Sequence, residues 1–119
     1  LVGSEMCIRD SFNGVVDNAQ MNKTALMAWS PLGGGSVFKG EDEQSVRLRT
    51  VLETIAKEHQ TDIDVVMYAF VLKHPAEIMP ITGTMNVGRV KNAVDALELD
   101  LTYDEWYAIL AVSRGFDVP

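Results

Sequence analysis

Beyond residue 11 the chain alternates short apolar runs with longer stretches of helical period. Phe12 to Lys23 is polar with scattered apolar residues and suits a short helix. Thr24-Ala-Leu-Met-Ala-Trp-Ser30 is an apolar run of strand length. A run apolar on both faces belongs in a parallel sheet covered by helices. Pro31 and then Gly33-Gly34-Gly35 stop it. Across Glu41 to Gln60, Leu48, Leu52 and Ile55, with Val51 beside them, form one apolar stripe, while Arg47, Arg49, Glu53 and Lys57 face outward. Thr61, with Asp64 three residues on, has the spacing of a capping box. The helix it opens, 62–73, carries Val65, Val66, Met67, Phe70, Val71 and Leu72 around most of its circumference and is expected to be deeply packed. His74-Pro75 ends it, because proline disfavours the helical conformation of the residue before it. Ile78-Met-Pro-Ile-Thr82 is a second strand candidate, although Pro80 cannot donate a ladder hydrogen bond. Asn86 suits the cap of a helix over 87–97 with Val90, Ala93, Val94 and Leu97 as its buried stripe. Thr102-Tyr-Asp-Glu105 is another capping box, opening a helix that buries Trp106, Ile109 and Leu110 and that Gly115 is placed to end.

Strands near 24–30 and 78–83 thus alternate with helices near 43–60, 62–73, 87–97 and 102–114. Alternation of this kind implies βα units and a parallel sheet, hence an α/β fold. Two strands make a poor sheet alone. A closed barrel of eight such units takes ~250 residues, and this chain supplies about a quarter of its strands.

Composition narrows the class without naming a function. Hydrophobic residues make up 47% and charged residues 23% of the 119, ordinary for a globular domain with a core. The net charge of -7 argues against non-specific binding to nucleic acid or anionic lipid. One cysteine, Cys7, cannot close an internal disulfide, and no apolar run approaches the ~20 residues of a membrane span. With no basic-then-apolar signal at its start, the profile is cytoplasmic. The opening run LVGSEMCIRDS, residues 1–11, has neither a period of two nor one of 3.6. It resembles translated sequencing-adapter sequence, so residues 1–11 are expected to be a non-native or disordered leader and 12–119 the domain.

Two strand exits carry the candidate chemistry, since parallel α/β proteins bind ligands at the C-terminal ends of strands. The first is Trp29-Ser30-Pro31-Leu32-Gly33-Gly34-Gly35. Its aromatic ring could stack on a flat heterocycle, and free loop amides could bind a pyrophosphate. The second is Gly83-Thr84-Met85-Asn86-Val87-Gly88-Arg89, where a hydroxyl, a guanidinium and helix N-terminal amides converge. Arginine matches a phosphate through paired hydrogen bonds, and the helix dipole adds attraction. On spacing alone, a capped helix with a solvated arginine is the simpler reading.

Resemblance to a known family changes that weighing. Ala28-Trp29-Ser30-Pro31-Leu32-Gly33-Gly34-Gly35 resembles the seventh-strand exit of aldo-keto reductases. Pro80-Ile81-Thr82-Gly83-Thr84 with Arg89-Val90 and Asn92 resembles the eighth-strand motif and its helix. The ending, from Leu101 through Glu105-Trp106-Tyr107 to Gly115-Phe116-Asp117-Val118-Pro119, is similar to a bacterial oxidoreductase subgroup of that family. The resemblance implies the C-terminal βα units of a (β/α)8 TIM barrel that reduces small-molecule carbonyl substrates with NADPH. It puts Trp29 against the nicotinamide ring and Ser30, Pro31, Leu32 and Gly33 along the pyrophosphate and ribose. Thr84 and Arg89 would hold the adenosine 2′-phosphate, and Asn92 would reach the adenine edge. Gly83 replaces the lysine that many members carry, which leaves one phosphate contact missing.

The family's catalytic aspartate, tyrosine, lysine and histidine come from the first half of the barrel, and their motifs do not occur here. No catalytic role falls on Tyr68, Tyr103 or Tyr107, which read as packing residues with a polar tip. His59 and His74 read as capping or solvated residues, and Met67 and Met79 as core filler. Glu41-Asp42-Glu43 favours a helix N-terminus more than a metal site. Two other functional readings stay open: a nucleotide-sensing subunit of the same fold, and a helix-turn-helix DNA binder suggested by the helices flanking Thr61. The acidic charge and the lack of a basic helix face weigh against the second. The carbonyl substrate and the oligomeric state are not legible.

Overall fold

A computed structural model of the chain describes residues 2–3, 15–29 and 35–114. In chain order the elements are β1 (Val2–Gly3), α1 (Val15–Met21), β2 (Met27–Trp29), α2 (Ser36–Lys39), α3 (Glu43–Glu58), α4 (Ile63–Leu72), β3 (Met79–Pro80), α5 (Val87–Asp95) and α6 (Tyr103–Arg114). Both expected strands and all four expected long helices are present, within a few residues of their expected limits. The strands form one parallel sheet in the order β1-β2-β3, with Ala28 opposite Val2 on one side and opposite Pro80 on the other. β1 lies in the stretch set apart as a leader; the remainder of that stretch is outside the described residues.

Local chemistry explains most of the boundaries. α1 and α3 end alike: Lys23 and Gln60 take left-handed backbone angles, and the next amide, of Thr24 or Thr61, donates back to Ala19 or Ala56. This closes the helix carbonyls without glycine. Asp42 caps α3 by accepting from the Ser45 amide and hydroxyl, and the Ser45 hydroxyl contact is the main reason its carboxyl is held below the usual range. The Thr102 box is complete: the Glu105 amide donates to Thr102 Oγ1 at 3.1 Å and the Thr102 amide to Glu105 Oε1 at 2.9 Å. The Thr61 box does not form. The cap of α4 is Asp62, with no side-chain capping bond, because the Asp64 carboxylate turns to Asn92 rather than back toward Thr61. α2 was not expected; Gly35 enters it with φ +92°, a backbone angle that L side chains rarely adopt.

The core is built from α3, α4 and α6 with the inward side of the sheet. Leu52, Ile55, Val66, Ile109 and Leu110 are buried together with Ala28 and Ile78. Every residue of α4 from Asp64 to Val71 is buried, so this helix exposes no face that could enter a nucleic-acid groove. Trp106 pins α6 to α4 by stacking on Phe70 and donating its indole N–H to the Phe70 carbonyl at 3.0 Å.

Two apolar surfaces stay open. On the sheet, Met27, Met79 and Ile81 are exposed. Met27 and Met79 are register partners and Ile81 lies two residues on, so all three share one side of the sheet. Met79 is therefore not core filler; Met67 is. The expected buried stripe of α5 is likewise open, with Val94 58% and Leu97 70% exposed and only Ala93 packed against the core.

Candidate functional site

β2 and β3 run parallel and in register, and the Ile81 amide donates to the Ala28 carbonyl at 2.8 Å. The chain therefore leaves both strands at the same edge of the sheet. Trp29 is the last residue of β2; its side chain, and Ser30, Pro31, Leu32 and Gly33, lie outside what the structure describes. Gly83 and Thr84 occupy the connection from β3 to α5, and Arg89 and Asn92 lie on α5 three positions apart, on one side of the helix.

An α-helix begins with four amides that have no intrahelical acceptor. At α5 two of them are satisfied from within the chain. Thr84 Oγ1 accepts from the Asn86 amide at 3.1 Å, and Asn86 Oδ1 accepts from the Arg89 amide at 3.3 Å. The amides of Val87 and Gly88 remain, in the first turn, where the helix dipole is positive. Asn86, Val87, Gly88 and Arg89 are all exposed, and the carboxylates of α5 are confined to Asp95 at its far end. A Cβ added at Gly83 would meet nothing within 4 Å, so the approach to this helix end is open. The arrangement is suited to an anion.

The Arg89 guanidinium lies over the Phe38 ring, 5.9 Å from its centroid. Phe38 belongs to α2, so a cation–π contact joins α2 to α5. Asn92 is held from behind. Its Nδ2 donates to Asp64 Oδ1 and Oδ2 at 3.1 and 3.0 Å and to Asp62 Oδ2 at 3.2 Å. Tyr68, one turn beyond Asp64 and buried, has its hydroxyl pKa raised by burial and then by the Asp64 charge, with Arg89 opposing.

The histidines lie elsewhere. His59 meets Glu105 at 2.8 Å and so ties α3 to the start of α6. Burial would raise the Glu105 pKa, but bonds from the Thr102 amide, His59 and the Thr102 hydroxyl lower it overall. His74 Nδ1 accepts from the Ala76 amide at 3.0 Å; burial lowers its pKa, with Asp17 opposing.

Phe38, Asp62 and Asp64 are the site residues that sequence reasoning did not find. Phe38 had only its nearness to Gly33–Gly35 as a cue, and the two aspartates read as helix-start residues. Among the described residues no three metal-ligating side chains cluster, and no helix is long and apolar enough to cross a membrane.

Known proteins place this chain in a family. The aldo/keto reductase family model matches residues 4–114, beginning inside the stretch set apart as a leader. The chain is 37% identical over 113 residues to an uncharacterized oxidoreductase, YcsN, of Bacillus subtilis, covering 94% of this chain and 38% of that protein. It is 37% identical over 110 residues to a 6-dehydroglucose reductase of Agrobacterium fabrum, covering 92% and 36%. With the oxidoreductase YdhF of Escherichia coli it shares 38% over 108 residues, covering 90% and 36%. Among solved structures, the thermostable aldo-keto reductase Tm1743, in complex with the inhibitor epalrestat, superposes with a TM-score of 0.74 at 25% identity over 87% of this chain and 35% of that one. The chain thus spans little more than a third of the length of these relatives. Its parallel βα units are an incomplete α/β barrel of the kind these oxidoreductases form, and the chain belongs to the aldo/keto reductase family.

Proposed function

We propose that the chain is the C-terminal, cofactor-binding part of a cytoplasmic NADPH-dependent carbonyl reductase, with the catalytic residues supplied by sequence outside it. The observation that carries this reading is the head of α5. Two of its four orphan amides are satisfied by Thr84 and Asn86, and two are left beside the exposed Arg89. That is a site for a compact dianion such as a nucleotide 2′-phosphate. Arg89 and Thr84 would hold the phosphate and Asn92 would meet the base. Trp29 and residues 30–33 would run along the nicotinamide and pyrophosphate, because the β2 exit opens on the same edge of the sheet. Open space at Gly83 fits a bulky charged group there. A bound dinucleotide would supply a hydride, and the residues of this chain would bind and orient it.

The substrate is a small carbonyl compound, and the 6-dehydroglucose reductase relative makes a sugar carbonyl a sensible first trial. The test is to titrate the purified chain with NADPH, following cofactor fluorescence, and then to add a small aldehyde and follow absorbance. Saturable binding with no NADPH consumption is expected. Absence of binding would overturn the cofactor assignment, and turnover well above background would overturn the assignment of catalysis to other sequence.

A further inference from the structure

Asn92 can meet a ligand with either end of its amide, and the end it shows determines what it recognises. In this structure both amide hydrogens are committed: three carboxylate oxygens, two from Asp64 and one from Asp62, lie 3.0–3.2 Å from Nδ2. Oδ1 has no protein partner among the described residues. Turning the amide over would set its oxygen against the same carboxylates, which offer no hydrogen when ionised. One orientation is therefore selected, and Asn92 presents an acceptor only.

Asp64 is an unusual residue to find there. It is only 5% exposed, on a helix otherwise apolar from Val65 to Phe70 apart from the Tyr68 hydroxyl. Its partners are the Val65 amide at 3.0 Å and Asn92, with no cation among the described residues within ion-pair distance. A buried carboxyl group whose partners are all amides is costly to the fold. A group retained at such a cost is better explained by the orientation it imposes than by stability.

We propose that Asp64, assisted by Asp62, is a positioning residue that fixes Asn92 as a hydrogen-bond acceptor and so makes the nucleotide site selective for a base carrying an exocyclic amine over one carrying a carbonyl at the same position. This rests on the reading above that Asn92 lies along the base. An adenine amine donates to Oδ1; the 6-carbonyl of hypoxanthine brings oxygen against oxygen. Asp64 touches no ligand and acts only through Asn92.

The test compares adenosine 2′,5′-bisphosphate with inosine 2′,5′-bisphosphate by calorimetry on the purified chain. The unaltered chain should prefer the adenine compound about tenfold. Asp64→Asn keeps the side-chain shape but can donate, which lets the Asn92 amide reverse. This variant should still bind both compounds, with the preference reduced to about twofold or inverted. A merely structural role would weaken both compounds alike, and an unchanged preference in the variant would overturn the proposal.

A second measurement needs no variant. In the nitrogen-15-labelled chain without nucleotide, both Asn92 side-chain amide protons should exchange slowly with water compared with an exposed asparagine such as Asn18. Fast exchange of both would overturn the proposal. Failure of the unaltered chain to bind either bisphosphate would instead sink the nucleotide reading, while the exchange result would still report on the Asp64–Asn92 contact.

Discussion

α4 and α5 are nearly equal in length, 10 and 9 residues, and they pack against each other, yet they live in opposite environments. α4 is buried from Asp64 to Val71; α5 has no buried residue at all. α4 is apolar on all sides and finds partners in α3, α5 and β3. α5 is amphipathic, but Val90 and Val94 on it and Leu97 just beyond it are exposed, as are Met27, Met79 and Ile81 on the open side of the sheet. Of the candidate ligand residues, Arg89 and Asn92 lie on α5 and Gly83 and Thr84 just before it. α4 belongs to a finished core, and α5 to a surface left open. In a chain that spans little more than a third of its relatives, the apolar stripe of α5 and the open sheet side are surfaces that more of a barrel would cover.

The same substitution on each helix breaks this comparison most sharply. Val66→Asp places a charge at a fully buried position of α4 and should cost about 4 kcal/mol or more, leaving the chain unfolded by circular dichroism. Val94→Asp on α5 should change stability by no more than about 0.5 kcal/mol and should reduce aggregation by light scattering. Equal damage from both would mean that α5 is as well packed as α4.

A pH effect of intermediate size probes the finished side. The folded-state pKa of Glu105 is lowered, so its carboxylate stabilises the fold above its ordinary value of 4.5. That contribution is lost as the pH falls through the lowered value. Glu105→Gln should cost about 1 kcal/mol at neutral pH, from the weakened capping box and the His59 contact. The gap from the unaltered chain should close in urea melts as the pH falls below the ordinary range. A gap constant with pH would remove the charged form of Glu105 from the account.

An effect of similar size sharpens the open side. Gly83→Lys meets no steric obstacle, and its φ is outside the region reserved for glycine. It should tighten binding of adenosine 2′,5′-bisphosphate by about threefold to tenfold, with little change in melting temperature. Weaker binding would mean that position 83 does not face the phosphate.

Local signals were legible in the sequence wherever partners lie within a few residues. The Asn86 cap and the Thr102–Glu105 box depend on side chains reaching neighbouring amides, and spacing reveals them. Thr61–Asp64 has the same spacing as a box but lost its carboxylate to Asn92, 28 residues away, a competition that no local pattern records. The Phe38–Arg89 contact was hidden for the same reason. The α5 stripe was read correctly as apolar and wrongly as buried, because periodicity identifies a face but not what covers it. Strand exits and a hydroxyl five residues before an arginine were visible; that two amides would be left over at the helix head required the actual bonds of Thr84 and Asn86.

The measurement closest to the central claim is a nitrogen-15 amide titration of the chain with adenosine 2′,5′-bisphosphate, repeated with adenosine 5′-monophosphate and with Arg89→Ala. The account predicts that the largest shifts fall on the Val87, Gly88 and Arg89 amides. It also predicts binding weakened about tenfold to hundredfold by loss of either the 2′-phosphate or the guanidinium. Shifts centred away from the head of α5, or affinities indifferent to the 2′-phosphate, would contradict it.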